Sequence, residues 1–178
     1  MSQSTVAKRY ALALFQLAKE HGQLDSIESE LKIVKDIFTS SKDLRTVLES
    51  PKLSLEKKKE LIKQAFSSAS VYVLNTLMIL VDRHRANIIG EMAEEFIKLS
   101  YEDKGLAEAK VYSVRLLTED ERTALAETFS KKLGKKQIVI DNEIDTNLLG
   151  GLKIRVGNRI FDGSLRGKLE RLERELIG

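Results

Sequence analysis

The apolar pattern of the chain changes at Gly105, and this change limits the folds that the chain can adopt. From Thr5 to about Tyr101 the apolar residues recur at helical spacing, with short polar interruptions that suit connections between helices. We therefore expect residues 1–104 to form an N-terminal six-helix bundle. The predicted helices span residues 4–20, 24–39, 42–49, 54–66, 71–84 and 87–104.

Residues 105–178 follow a different pattern, in which β-compatible segments occur together with helix signals. Thr118 and Glu121 have the spacing of a capping box, which predicts a helix that begins there and ends near Gly134. The predicted fold class is mainly α with a smaller α/β part, in which a small mixed strand/helix C-terminal domain follows the bundle. The predicted strands span residues 109–117, 137–144, 152–156 and 159–162.

The last part of the chain, residues 145–175, predicts a strand, a turn, a second strand and a helix. Through residues 152–156 apolar and basic residues alternate with the period of two of a half-buried strand. Gly157 and Asn158 suit a two-residue hairpin loop, because glycine adopts the positive φ that the first loop position needs. Ser164 is placed to cap the final helix. The apolar stripe of that helix consists of Leu165, Leu169, Leu172 and Leu176.

Composition excludes several kinds of site. The 30 basic and 27 acidic residues are interleaved, whereas strong nucleic-acid binders concentrate positive charge on one face. The absence of cysteine excludes disulfides, a thiolate nucleophile and a zinc site built from sulfur. No signal peptide is expected, and apolar runs such as Leu77 to Val81 are far shorter than the roughly 20 residues that span a bilayer. Any membrane association is therefore expected to be indirect.

Three segments resemble the same protein family and lie in the family's order along the chain. The first, VAKRYALALF, begins at Val6; the second runs from Asn75 to the residues DRHR; the third, GGLKIRVGNRIFDGSLRGKLERL, begins at Gly150. Together they closely resemble the delta subunit of F-type ATP synthases, the homologue of the mitochondrial oligomycin-sensitivity-conferring protein. The departures are small, with Phe161 where a branched aliphatic residue is common and Thr146 where proline often stands.

This resemblance implies a non-catalytic subunit of the peripheral stalk that needs no cofactor. Such a subunit ties the catalytic head to the b subunits and resists rotor torque while proton-driven ATP synthesis occurs in other subunits. The resemblance further implies one copy per complex, on the cytoplasmic face of the bacterial cell membrane, associated with the membrane only through the complex. The sequence offers no convincing set of nucleophile, acid/base or metal ligands that would indicate an enzyme.

The first and fifth predicted helices carry more apolar surface than one core-facing side requires. The apolar residues of the first helix cover roughly 200° of the helical wheel, twice the roughly 100° of a core-facing stripe. Apolar residues also surround the fifth helix, where Asn75 and Asp82 interrupt them on one side. The wheel leaves two interpretations open: each helix is central in the bundle, or one face accepts a partner helix in a groove.

The resemblance favours the groove, because it implies that these two helices together receive the N-terminal helix of an alpha subunit. The residues expected at that interface are Ala7, Tyr10, Ala11, Leu14, Asn75, Met78, Ile79 and Asp82. The resemblance also implies that the C-terminal domain contacts the C-terminal region of the b subunits. We expect Arg166, Lys168 and Arg171 to contribute, because they are close in sequence and spread around the leucine stripe.

Other candidate sites have simpler interpretations. Gly150 and Gly151 precede a strand and are not followed by Gly-Lys-Ser/Thr, so we expect a bend or a close backbone approach instead of a phosphate loop. The only histidines are His21, just after the first predicted helix, and His84, at the end of the fifth, and neither has a metal-ligand partner nearby in the sequence. The acidic residues 141, 143 and 145 alternate along a predicted strand and its first following residue, which indicates a solvated face.

Two basic clusters leave an alternative function open. Residues 57–59 form one cluster and residues 131, 132, 135 and 136 form the other, and either could contact phosphate. Most such runs are solvated helix faces, and these clusters lack the interleaved aromatic residues that stack on single-stranded nucleic acid. The alternative is a small cytosolic RNA- or ribosome-associated adaptor; the favoured interpretation has no nucleic-acid partner.

Overall fold

The structure is a computed structural model that describes residues 3–169. The chain divides into two compact units, Met1–Ser100 and Tyr101–Gly178. The first unit is helical, and the second combines helix with a four-stranded sheet. This arrangement confirms the predicted fold class. Whether residues 1–104 fold on their own stays a prediction.

Six α-helices occupy the predicted positions within residues 3–104. They are α1 (Gln3–Glu20), α2 (Leu24–Ser40), α3 (Lys42–Glu49), α4 (Leu55–Ala65), α5 (Val71–Asp82) and α6 (Ile89–Lys104). A short 3-10 helix, Ala86–Ile88, precedes α6. The side-chain oxygens of Ser41, Ser54 and Ser70 accept hydrogen bonds from backbone N–H groups in the first turns of α3, α4 and α5. These caps fix where the three helices begin.

α5 ends at Asp82, two residues before its predicted end, because His84 adopts a left-handed backbone conformation with φ of 54°. The N–H of Arg85 donates to the carbonyl of Leu80 at 2.8 Å, and the N–H of His84 donates to the carbonyl of Val81 at 3.0 Å. This pair of hydrogen bonds is a Schellman motif, which ends a helix in the position that glycine usually occupies. The turn after α5 is therefore sharply defined.

One apolar core holds the first unit together, and every helix of the unit contributes to it. The ring of Phe15 on α1 meets the ring of Phe96 on α6 edge to face, with centroids 6.0 Å apart. The fully or almost fully buried residues of α1 recur at helical spacing. They are Ala7, Ala11, Leu14 and Ala18. The side of α1 that carries these alanines is thus its core-facing side.

The second unit is built on a sheet with the strand order β2-β1-β3-β4. Its elements are β1 (Leu106–Ser113), α7 (Glu119–Leu133), β2 (Gln137–Ile144), β3 (Leu152–Val156) and β4 (Arg159–Asp162). β1 and β2 pair in parallel, with α7 as the connection between them, and the other neighbouring strands pair antiparallel. Residues from the sheet and α7, among them Val111, Phe129 and Ile154, form a separate apolar core.

Both predicted ends of α7 are confirmed. The Thr118 hydroxyl accepts a hydrogen bond from the N–H of Glu121 at 3.3 Å, and the Glu121 carboxylate accepts one from the N–H of Thr118 at 2.9 Å. Gly134 ends the helix in the left-handed conformation, with φ of 63°. The predicted bounds of β1, however, were wrong. The strand ends at Ser113, whose hydroxyl donates to the carbonyl of Arg115 at 2.6 Å and turns the chain away from the sheet.

The predicted features of the β3–β4 region are also present. A two-residue loop joins the strands, with Val156 paired to Arg159 and Gly157 at φ of 56°. The expected close backbone approach occurs at Gly151, where an added Cβ atom would lie 2.4 Å from the carbonyl oxygen of Gly163. Only glycine fits this position, because the obstructing atom belongs to the backbone.

Ser164 caps a final helical segment, as predicted. Its hydroxyl accepts a hydrogen bond from the N–H of Gly167 at 3.1 Å, and residues 165–169 are helical. Asp162 supports this cap, since its carboxylate accepts hydrogen bonds from both the backbone N–H and the hydroxyl of Ser164. Two leucines of the predicted apolar stripe, Leu172 and Leu176, lie outside the described residues.

Candidate functional site

The interface residues expected on α1 and α5 fall into a buried group and a more exposed group. Ala7 and Ala11 are 0% exposed, and Leu14 is also buried in the core. The exposed or half-buried members are Tyr10, Asn75, Met78, Ile79 and Asp82. Only part of the expected set is therefore available at the surface of this chain. Whether any of these residues contacts a partner stays a prediction.

α1 has a second apolar stripe, beside the buried one, that is partly exposed to solvent. Its residues recur at helical spacing. An open cavity of about 320 Å³ is lined by the first three residues of this stripe, Val6, Tyr10 and Ala13, together with Arg9 and Arg85. The fourth, Leu17, is 42% exposed. This α1 stripe consists of Val6, Tyr10, Ala13 and Leu17.

Two contacts define how the α1 stripe lies relative to α5. Near the middle of α1, the Tyr10 hydroxyl accepts a hydrogen bond from the guanidinium of Arg85, which follows α5. Just after its end, the ring of His21 lies 5.0 Å from the ring of Tyr72, centroid to centroid. The two helices therefore run antiparallel. Ile79 lies about two turns after Tyr72 on the same side of α5, which puts it beside the middle of the α1 stripe.

Polar groups flank this apolar surface. Asn75 is exposed on α5, one turn before Ile79. The cavity beside α1 is lined by Arg9 of α1 and by Arg85, which follows α5. The Asp82 carboxylate is held by the Lys59 ammonium of α4 at 2.5 Å. The surface thus combines exposed apolar side chains with an amide and two guanidinium groups. Such a combination suits a groove for an amphipathic helix that carries acidic residues.

The second unit has an apolar cavity of about 450 Å³ where β1 ends and α7 begins. Leu117, Leu125 and Leu152 are among its lining residues. Large apolar side chains are exposed around the same end of the sheet, and we name them the apolar end. They are Val114, Leu116, Ile144 and Leu149. Sequence reasoning missed this surface, because it assigned residues 109–117 to a single strand.

An ion pair forms part of the wall of this cavity. The Arg115 guanidinium donates to both carboxylate oxygens of Glu121, at 2.9 and 2.7 Å. These hydrogen bonds, with a further one from the N–H of Thr118, lower the pKa of Glu121 to about 2. Glu121 therefore stays ionised at neutral pH and ties the first turn of α7 to the residues that follow β1.

Two of the residues expected to contact the b subunits can be located. Arg166 and Lys168 lie exposed in the helical residues 165–169, and Arg171 lies outside the described residues. In the sequence, the two located residues follow shortly after Gly163. The backbone of Gly163 closely approaches Gly151, which lines the apolar cavity. Whether these two side chains contact the b subunits stays a prediction.

The acidic residues of β2 have an internal counterion. The Lys110 ammonium on the neighbouring strand β1 lies 3.3 Å from the Glu143 carboxylate and 3.9 Å from that of Asp141. This arrangement supports the interpretation of a solvated, charged strand face. Within residues 3–169, no group of three or more His, Asp or Glu side chains is placed to hold a metal ion.

Comparison with known proteins identifies the family. The model of the ATP synthase delta (OSCP) subunit family matches residues 6–176, nearly the whole chain. The chain belongs to this family. The ATP synthase subunit delta of Geobacillus sp. (strain WCH70) is 51% identical over 178 residues, which cover 100% of both chains. That of Bacillus subtilis (strain 168) is also 51% identical, over 100% of this chain and 98% of the relative.

A solved structure has the same fold as this family member. It is a chain of the cryo-EM structure of the Toxoplasma gondii mitochondrial ATP synthase hexamer. The match has a TM-score of 0.78 and covers 97% of each chain, at 20% sequence identity. At that identity the likeness shows the fold alone.

Family membership confirms the resemblance seen in the sequence. The protein is a peripheral-stalk component of ATP synthase, and its role is structural, not catalytic. The alternative of an RNA- or ribosome-associated adaptor has no support from these comparisons. None of the helices within residues 3–169 is long and apolar enough to cross a membrane.

Proposed function

We propose that the protein joins the catalytic head of ATP synthase to the b subunits through two separate surfaces. The groove between the α1 stripe and α5 binds the N-terminal helix of an alpha subunit. The second unit binds the C-terminal region of the b subunits. The protein works on the cytoplasmic face of the bacterial cell membrane, in one copy per complex, and is associated with the membrane only through the complex.

The exposed α1 stripe is the observation that carries the alpha-subunit contact. A helix that docks in a groove presents anchors at helical spacing and buries them against apolar side chains. Leu17 and Ile79 supply exposed apolar area from two antiparallel helices, and Asn75 supplies a hydrogen-bonding group beside them. Arg9 and Arg85 lie at one end only, so they favour acidic residues in the docking helix and set its direction.

The buried members of the expected set have an indirect role in this proposal. Ala7, Ala11 and Leu14 belong to the core of the first unit and fix the rotation of α1 about its own axis. That rotation keeps the α1 stripe turned towards the groove. The members available for direct contact are Tyr10, Asn75, Met78, Ile79 and Asp82.

The apolar end and its cavity support a contact of the second unit with the b subunits. Four large apolar side chains are exposed at this end of the sheet, and one of them, Val114, lines the cavity, so together they offer area that a partner helix can bury. Arg166 and Lys168 add positive charge, and Arg171 adds more in the sequence beyond the described residues. Charge of this kind speeds association with an acidic partner and is weakened by salt.

The mechanism is mechanical and requires no chemistry in this chain. A stator holds the head against rotor torque, so each contact must dissociate slowly under load. Buried anchors in preformed grooves slow dissociation more effectively than area alone. The α1–α5 groove is preformed in this sense, because the core of the first unit and the Tyr10–Arg85 hydrogen bond hold its two walls.

Ala13→Arg tests the alpha-subunit contact. Ala13 is exposed in the α1 stripe, so an arginine there obstructs the groove without entering the core. We expect binding of a synthetic peptide of the alpha-subunit N-terminal helix, measured by calorimetry, to weaken by about tenfold or more. Gln16→Arg adds the same charge on an exposed part of α1 outside the stripe, and is expected to bind like the wild type. Equal affinities for the two variants would exclude the groove as the contact.

A further inference from the structure

The three consecutive lysines of α4 occupy three different environments. Lys57 is exposed, and Lys59 pairs with Asp82 at 2.5 Å. Lys58 is only 7% exposed, and no group within residues 3–169 accepts a hydrogen bond from its ammonium or forms an ion pair with it. The bundle thus encloses most of the Lys58 side chain, while no carboxylate of the described residues pairs with its ammonium. The charge of Lys58 is therefore available to an anionic partner from outside these residues.

Lys58 lines a cavity of about 320 Å³ that could receive such a partner. This volume lies at the small end of the range for ligand sites. His84 and Asn87 line the same cavity. Their side chains add a ring nitrogen and an amide that can donate hydrogen bonds to oxygen.

The cavity walls are held in place by elements that the core fixes. Lys58 lies in α4, His84 occupies the left-handed position of the Schellman motif after α5, and Asn87 lies in the 3-10 helix that follows. Glu49, the last residue of α3, is the one carboxylate among the described lining residues. It is exposed, so water screens its repulsion of an anion.

We propose that this cavity binds a small tetrahedral oxyanion, with inorganic phosphate as its simplest representative. The Lys58 ammonium supplies the countercharge, and His84 and Asn87 supply additional donors. The site is independent of the α1–α5 groove and of the apolar end, since Lys58, His84 and Asn87 belong to neither. It gives a function to the one lysine of residues 57–59 whose side chain is largely buried and has no ion-pair partner within the described residues.

Lys58→Met in the full chain tests the site, because methionine keeps an unbranched apolar stem and removes the charge. Melting temperatures are compared in potassium phosphate and in potassium chloride at equal pH and ionic strength. For the wild type we expect a rise of about 3 °C or more at ten times the dissociation constant. Lys58→Met should lose this rise, whereas Lys57→Met, which changes the exposed neighbour, should keep it.

Calorimetric titration with phosphate gives a second readout that does not depend on the melt. Glu49→Gln should strengthen phosphate binding, and Asn87→Ala, a second variant at a cavity residue, should weaken it. An equal phosphate-induced rise in the wild type and in Lys58→Met would be the general effect of this salt on protein stability and would overturn the proposal. A response of the wild type to acetate but not to phosphate would also overturn it, because the site would then prefer carboxylates.

Discussion

Ala11 and Ala13 are about 200° apart around α1, and this rotation separates a core position from a surface position. Ala11 is fully buried, whereas Ala13 lines the cavity beside Tyr10. The same residue type therefore serves the packing of the bundle at one position and, in our proposal, partner contact at the other. The sequence could not assign these positions, because an apolar arc of roughly 200° contains no mark of which half faces the core.

Ala11→Arg and Ala13→Arg should differ in their effect on stability. We expect Ala11→Arg to lower the free energy of unfolding by about 3 kcal/mol or more, because arginine overpacks the core and buries an unpaired charge. Ala13→Arg should change it by less than about 0.5 kcal/mol, as is usual for an exposed site. Urea unfolding followed by circular dichroism measures both. If Ala11→Arg were as stable as Ala13→Arg, the core assignment of Ala11 would be wrong.

At the scale of single elements, local signals made α7 and the β3–β4 hairpin predictable. Thr118, Glu121 and Gly134 determine both ends of α7, and Gly157 determines the hairpin loop. Each of these signals lies within a few residues of the structure that it specifies. A sequence-based prediction therefore needed no knowledge of the tertiary structure at these places.

The end of β1 was not predictable in this way, because it depends on a residue far along the chain. The Asn142 side chain donates to the carbonyl of Val111 at 2.9 Å and accepts from the N–H of Leu117 at 2.8 Å. These hydrogen bonds hold the residues after Ser113 in a turn, although their apolar pattern suits a strand. The position of the apolar end depends on this tertiary contact, so the sequence alone did not predict that surface.

The first turn of α7 should depend on acidity through Glu121. The pKa of this carboxyl in the folded protein, about 2, lies below its usual 4.5, so its stabilising contribution is complete above about pH 4.5 and is lost as the pH falls towards 2. Glu121→Gln lacks the titrating group. We therefore expect its deficit in melting temperature relative to the wild type to shrink between pH 4.5 and 2.

Thermal melts across this pH range check that expectation, with Glu127→Gln as the control. Glu127 is an exposed carboxylate in the middle of α7, and its removal changes the net charge by the same amount. A difference between the wild type and Glu121→Gln that stays constant down to pH 2 would show that the Arg115–Glu121 pair does not stabilise the fold.

At the scale of the whole molecule, each unit has its own apolar core and its own exposed apolar surface. The family could be identified from the sequence because its motifs extend over the whole chain. The pairing of each surface with a partner could not be derived in the same way. The complementary surfaces belong to other chains, whose charges and apolar anchors this sequence does not contain.

A fragment of residues 1–104 should fold by itself. The core of the first unit, from Ala7 to Phe96, is formed entirely by residues within this span. We expect a helical circular-dichroism spectrum and a cooperative thermal melt from the expressed fragment. A largely unfolded fragment without a cooperative transition would contradict an independent N-terminal bundle.

Simultaneous binding tests the central claim most directly. The full chain is mixed with the alpha-subunit N-terminal peptide and the soluble C-terminal region of the b subunits, and the complexes are measured by analytical ultracentrifugation. We expect one species that contains all three components. Ala13→Arg should lose only the peptide, and Arg166→Glu combined with Lys168→Glu should weaken only b-subunit binding, most strongly at low salt. Displacement of one partner by the other, or loss of both partners in Ala13→Arg at unchanged melting temperature, would contradict a bridge with two separate surfaces.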